Sequence, residues 1–232
     1  STTYGSNAQY AISSVKYYND SSNDGMDNGT VYTLGNGGVA GSSVSINSSN
    51  LVSINDGAGG TARFTLALSS GVFSQANKLA VGSYQLGISG TVTANSANFS
   101  NTITVVGAHQ VNTKGITASA SSVSKSYDSS TSMTGVTLNL STLETNDVVT
   151  VNGSGAFADK NVGTGLNYAI SNLALSGADA GNYHLTGGTS FSGSNGTITA
   201  VPLTITANNA TKTYDSVAYS GGNGVSYNGF VG

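Results

Sequence analysis

An internal repeat constrains this chain more than any other feature. Ile116-Thr117-Ala118 followed by Lys125-Ser126-Tyr127-Asp128-Ser129 returns as Ile205-Thr206-Ala207 followed by Lys212-Thr213-Tyr214-Asp215-Ser216. Thr3-Tyr4-Gly5 reads as a third, frayed copy of the same start. A second landmark closes each copy. Val162-Gly163 leads into Leu166, Tyr168 and Ile170, and Asn182-Tyr183 follows with 15 positions between the two tyrosines. Val81-Gly82 leads into Tyr84, Leu86 and Ile88, and Asn98-Phe99 follows with the same 15 positions between aromatics. Two landmarks in one order, with one shared spacing, mark tandem units rather than one irregular domain. The expected units are 1–108, 115–200 and 203–232. The first carries a polar insertion at 19–60, and the third is the truncated start of a further copy. Short strands at 102–106 and 197–200 are expected to close the first two units, with 107–114 as a linker.

The local pattern is β throughout. Apolar residues alternate with polar ones at Val44-Ile46, Phe64-Leu66-Leu68, Val136-Leu138-Leu140, Val149-Val151 and Leu203-Ile205. Turn signals separate these runs at Asn28-Gly29, Asn36-Gly37, Asp56-Gly57, Asn152-Gly153 and Asn195-Gly196. The alternation slips by one between Ile170 and Leu173, which predicts a bulge or a bend. One Pro, one Glu and few Lys remove the strong helix formers. Seven or so short strands per unit predict an all-β chain of tandem Ig-like antiparallel β-sandwich modules.

Composition narrows the function classes. Gly, Ser, Thr and Asn make up roughly half of the 232 residues, and only 7% are charged. Seven basic residues against ten acidic ones cannot build the basic face that nucleic acid requires. No apolar run reaches the length of a membrane span, and the first ten residues have neither the charged nor the apolar region of a signal peptide. No Cys is present, which removes disulfides and thiolate metal sites. A hydrophobic fraction of 38% with a net charge of −3 is not the profile of a disordered chain.

The repeated residues resemble a known family. Leu203-Thr204-Ile205-Thr206-Ala207 with Lys212-Thr213-Tyr214-Asp215 is similar to the opening of YDG-type repeats, and Leu175-Ser176-Gly177-Ala178-Asp179-Ala180-Gly181-Asn182-Tyr183 to their closing motif. The first unit resembles the related MBG (mostly bacterial Ig-like) repeat. Such repeats stand in tandem in filamentous-haemagglutinin-like adhesins. The resemblance implies β-sandwich modules in an exported stalk at the bacterial cell surface. Ser129 and Ser216 stand where the motif has Gly, which bears on the turn geometry if that position needs a positive φ.

Chemistry-bearing residues are sparse. His109 lies in the expected linker and His184 on the solvent side of a strand, and both read as structural. Gly35-Asn36-Gly37-Gly38-Val39-Ala40 and Gly153-Ser154-Gly155-Ala156-Phe157-Ala158 match a dinucleotide-binding pattern in form, but no helix follows either. Asp20, Asp24 and Asp27 crowd one loop with three Asn and form the weak calcium candidate, since Ca²⁺ takes carboxylate and amide oxygens. No other cofactor is expected. Asp128, Asp179 and Asp215 read as turn or strand-end caps. Lys125 and Lys212 are expected at the surface rather than in a Lys–Asn or Lys–Asp cross-link. Tyr127, Tyr168, Tyr183 and Tyr214 read as aromatic staples of successive cores, with Asn182 beside one of them, while Tyr4 marks the frayed copy of the opening motif.

The expected function is a non-catalytic spacer in a large surface adhesin that supports adhesion or biofilm. Its expected partners are the neighbouring repeats, with a host or matrix glycan or protein at most. The alternative is a carbohydrate- or matrix-binding module in which Tyr17, Tyr18 and Tyr32, at or beside the 19–60 insertion, stack on sugars. No acid, base and nucleophile can be assembled from these residues into an active site.

Overall fold

A computed structural model describes residues 1–18, 31–95, 103–133 and 136–231. The strands are β1 (Thr2–Thr3), β2 (Val15–Tyr18), β3 (Val31–Leu34), β4 (Ser43–Ile46), β5 (Leu51–Asn55), β6 (Thr61–Leu68), β7 (Gly82–Ala94), β8 (Ala108–Asn112), β9 (Lys114–Ile116), β10 (Ala118–Ser121), β11 (Ser124–Ser126), β12 (Thr137–Leu140), β13 (Thr150–Phe157), β14 (Gly163–Ser176), β15 (Tyr183–Leu185), β16 (Phe191–Thr199), β17 (Thr204–Ala207) and β18 (Val225–Asn228). The chain is all-β. The one helical turn among the described residues is a 3-10 turn at Ala180–Asn182. No helix there is long and apolar enough to cross a membrane.

The chain divides into two compact units, and the division is not simply sequential. Unit 1 holds Ser1–Lys114 together with Glu144–Val148 and Ala178–His184. Unit 2 holds Gly115–Leu143, Val149–Gly177 and Leu185–Gly232. Two segments expected in the 115–200 unit, including the Ala178–Tyr183 part of the closing motif, therefore belong to unit 1.

In unit 1 the main sheet runs β1-β8-β7-β6-β5-β4. Alternation places Val52, Ile54, Ala62, Phe64 and Leu66 on its inner face, and these join Leu34 in a buried apolar cluster. The separate hairpin β2–β3 adds Val15 and Tyr17 to that cluster. Each strand is half apolar, so burying one face fixes its register.

In unit 2 the main sheet runs β11-β16-β14-β13. This is the order β1-β8-β7-β6 of unit 1 again. In both units the short opening strand lies parallel to the last strand. In both the following tyrosine N–H continues the ladder, Tyr4 to the Asn112 carbonyl at 2.8 Å and Tyr127 to Thr199 at 2.9 Å. The core of unit 2 gathers Val123, Phe157, Tyr168, Ile170, Leu173 and Ile198, with Tyr127 leaning on it.

Several expectations change in detail. Residues 103–107 form no strand, and unit 1 is closed by β8 in the stretch expected to be a linker. There, Tyr84 faces His109 across the ladder, as required for a sheet partner of the long strand β7. Asn152-Gly153 and Asn195-Gly196 lie inside β13 and β16 rather than at turns. At Gly196 the reason is clearance, because a Cβ there would collide with the Phe157 ring. The predicted bulge is present. Ser171 and Asn172 are both exposed, Asn172 has φ +56°, and the β13–β14 register shifts opposite them.

The segment 203–231 forms only the hairpin β17–β18, with all eight strand residues exposed. Tyr214, expected to be a buried staple like Tyr127, is 89% exposed. Tyr127 leans on the inner face of a four-stranded sheet, whereas no further strand among the described residues pairs with β17–β18, so Tyr214 has nothing to be buried against.

Candidate functional site

The densest polar constellation lies in unit 1, around a carboxylate that sequence reasoning did not single out. Tyr4 sits directly after β1 and is 2% exposed. Its hydroxyl is hydrogen-bonded to Asp147 Oδ2 and to Ser74 Oγ, both at 2.5 Å. The Tyr183 hydroxyl donates to the same Asp147 Oδ2 at 2.7 Å and accepts from the Glu144 N–H at 2.9 Å. The two rings meet edge to face at 5.3 Å between centroids. Asp147 Oδ1 accepts from the Ala76 N–H at 2.9 Å.

The closing motif completes this cluster. The Asp179 carboxylate accepts from the Gln75 N–H at 3.2 Å and the Val148 N–H at 2.9 Å. Asn182 Oδ1 accepts from the Val81 N–H at 2.8 Å. Asp179, Asn182 and Tyr183 are all buried. Three side chains, Asp147, Asp179 and Asn182, thus hold the backbone of the 74–81 loop, whose donors would otherwise be unmatched. Asp179 was expected to cap its own turn. It binds remote backbone instead and makes no capping bond to the 3-10 turn that follows it.

Electrostatics in the cluster favour neutral tyrosines around an ionised acid. Burial, and then the hydrogen bond to Asp147, pushes both Tyr4 and Tyr183 hydroxyls well above the ordinary tyrosine range. Burial by itself would raise Asp147. Hydrogen bonds from Tyr4, Tyr183 and the Ala76 N–H outweigh it and hold the carboxyl below its usual value. A carboxylate saturated by donors, beside hydroxyls that resist ionisation, is suited to fastening chain segments. Nearby, Lys114 Nζ pairs with Glu144 Oε1 at 2.6 Å, and the buried His109 accepts or donates to Thr2 Oγ1 at 2.9 Å. Burial lowers the His109 pKa. His184 is exposed, as expected, and meets Thr113 Oγ1 at 2.8 Å.

In unit 2 the motif lysine departs from expectation. The Lys125 side chain is 4% exposed rather than solvated. Its ammonium lies 2.6 Å from Asp128 Oδ1 and donates to the carbonyls of Ser130 at 2.7 Å and Ser132 at 2.9 Å. It also sits over the Phe157 ring at 6.0 Å. With all three protons directed at oxygens and its stem against the core, this lysine is tolerated inside. Asp128 also accepts from the Ser130 N–H, and the Lys125 bond leads in holding its pKa down to about 2. Ser129 between them has φ +62°. The hairpin segment repeats this device. Lys212 pairs with Asp215 at 2.8 Å, its ammonium donates to the Val217 and Ala218 carbonyls, and Ser216 has φ +60°. The serines at the motif's Gly position therefore do occupy left-handed backbone.

The remaining candidates are placed as follows. Tyr168 is buried in the core of unit 2. Tyr17 and Tyr32 stack on each other at 5.3 Å, and Tyr17 packs on the core of unit 1. Asp20, Asp24, Asp27 and the Asn98-Phe99 landmark lie outside the described residues. Among the described residues no group of three or more His, Asp or Glu is placed to hold a metal ion. Asp147 and Ser74 carried no local signal, because their partner Tyr4 lies 143 and 70 positions away in sequence.

Fold and site together define an all-β protein built on a repeated opening strand, a lysine-stapled turn and buried tyrosine fasteners. Within it, a YDG domain is found at residues 112–190. No curated protein and no solved structure shows a significant match to the chain.

Proposed function

We propose that the chain is a run of Ig-like β-sandwich modules forming a non-catalytic stalk in a filamentous-haemagglutinin-like adhesin at the bacterial cell surface. The observation that carries this reading is the recurrence of one build. Both units use the same four-strand order, and both open with a short strand parallel to the closing strand. Pulling a unit by its opening and closing strands loads those parallel hydrogen bonds in shear, so several must break together. The YDG domain at 112–190 supports the same reading. So does the use of Asp147, Lys125 and Asp179, whose charged groups are taken up in binding backbone N–H and carbonyl groups.

Antibodies against the chain, applied to intact cells of its source, test the proposal together with an in-frame deletion of residues 1–232. Surface staining and weaker attachment after the deletion are expected. Staining only after lysis would overturn it.

A further inference from the structure

The outer face of the unit 1 sheet holds an unpartnered cation in an open polar depression. Val52, Ile54, Ala62 and Phe64 are fixed on the inner face, so alternation turns Ser45, Ser53, Asn55, Thr61 and Arg63 outward. Cross-strand register sets Ser45 beside Ser53, Ser53 beside Arg63 and Asn55 beside Thr61. With Ser43 these short side chains line a depression of about 230 Å³ around the longer arginine. Arg63 is the one arginine of the chain. Among the described residues its guanidinium has no ion pair and no hydrogen bond. Asn55 Oδ1 already accepts from the Gly57 N–H at 2.8 Å, and among the described residues its amide nitrogen makes no hydrogen bond. The adjacent Asp56 is buried, with Oδ1 bound by the Ala58 and Gly60 N–H groups. No carboxylate lines the depression, and its free groups are rich in donors.

We propose that this face binds an acidic oligosaccharide. Its carboxylate or sulfate pairs with Arg63, and its ring hydroxyls meet the serine, threonine and asparagine groups around it. A planar guanidinium matches an oxyanion in two-point geometry. Hydroxyls and amides exchange hydrogen bonds with a sugar ring in either direction. One cation is too few for nucleic acid, which needs several phosphate contacts. This site goes beyond the stalk role and does not depend on it.

The test uses the full chain in NMR and calorimetric titrations with three probes: an oligogalacturonate, a sulfated oligosaccharide and a neutral oligosaccharide of equal length. Acidic probes are expected to shift resonances of residues 43–63 and to bind at least about tenfold tighter than the neutral one. The ratio of the two acidic affinities identifies which oxyanion is preferred. Arg63→Gln removes that advantage, and Ser53→Glu, which places a competing carboxylate beside Arg63, abolishes it. Both variants should melt as the parent does, since both positions lie on the outer face. Equal binding of the neutral probe, unchanged affinity in Arg63→Gln, or no shifts at 43–63 would overturn the proposal.

Discussion

Tyr4 and Tyr183 lie 179 positions apart, yet their rings meet edge to face and their hydroxyls share one oxygen of Asp147. Removing that carboxylate takes the acceptor from the Tyr183 hydroxyl and the Ala76 N–H and leaves the Tyr4 hydroxyl only Ser74. Asp147→Ala should therefore destabilise unit 1 by about 2–3 kcal/mol. Tyr183→Ala, which also removes a buried ring, should cost about 3–5 kcal/mol. Because they share one network, the double variant should cost less than the sum. Denaturant midpoints of the full chain measure all three, and strict additivity would contradict a shared network.

Unit 1 should weaken at both ends of the pH scale. His109 has a lowered folded pKa, so its contribution is whole above 6.5 and is lost as pH falls through the folded value, where the unfolded chain takes up the proton first. Asp147, also lowered, adds a second loss below 3.8. Tyr4 and Tyr183 are raised. Their contribution is whole below 10.0 and declines as pH rises toward their folded values, because unfolded tyrosines ionise first. His109→Gln should flatten the first acid loss and leave the alkaline one unchanged. Midpoints that do not move on crossing 6.5 or 10.0 would refute this.

The two motif lysines should respond differently to the same change. Lys125→Met leaves the Ser130 and Ser132 carbonyls without their buried donor and should cost about 2–3 kcal/mol, the half-exposed Asp128 recovering some water. Lys212, whose side chain is 29% exposed in the hairpin, should show no measurable change on substitution by Met. Thermal melts compare the two directly, and equal losses would show that the hairpin is packed after all.

Ser129 occupies left-handed backbone, where an L side chain is penalised. Ser129→Gly should stabilise unit 2 by about 1 kcal/mol, and Ser129→Val should destabilise it. A loss of stability in the glycine variant would mean that the serine hydroxyl contributes more than the backbone strain costs.

What the sequence determined by itself is local. Alternation of apolar residues, the bulge after Ile170 and the recurrence of the opening motif all arise within one strand or one turn, so they can be read without knowing what lies across the sheet. The lysine-stapled turn is likewise specified by neighbours within a few positions, which is why Lys125 and Lys212 build it alike. Tertiary structure decided burial and partnership. Tyr127 leans on a four-stranded core while Tyr214, in the same motif, faces solvent. Asp179 and Asn182 fasten a loop about a hundred positions away rather than their own turn. The physical reason is that a side chain is buried only when a second surface displaces water from it, and that surface comes from distant chain segments.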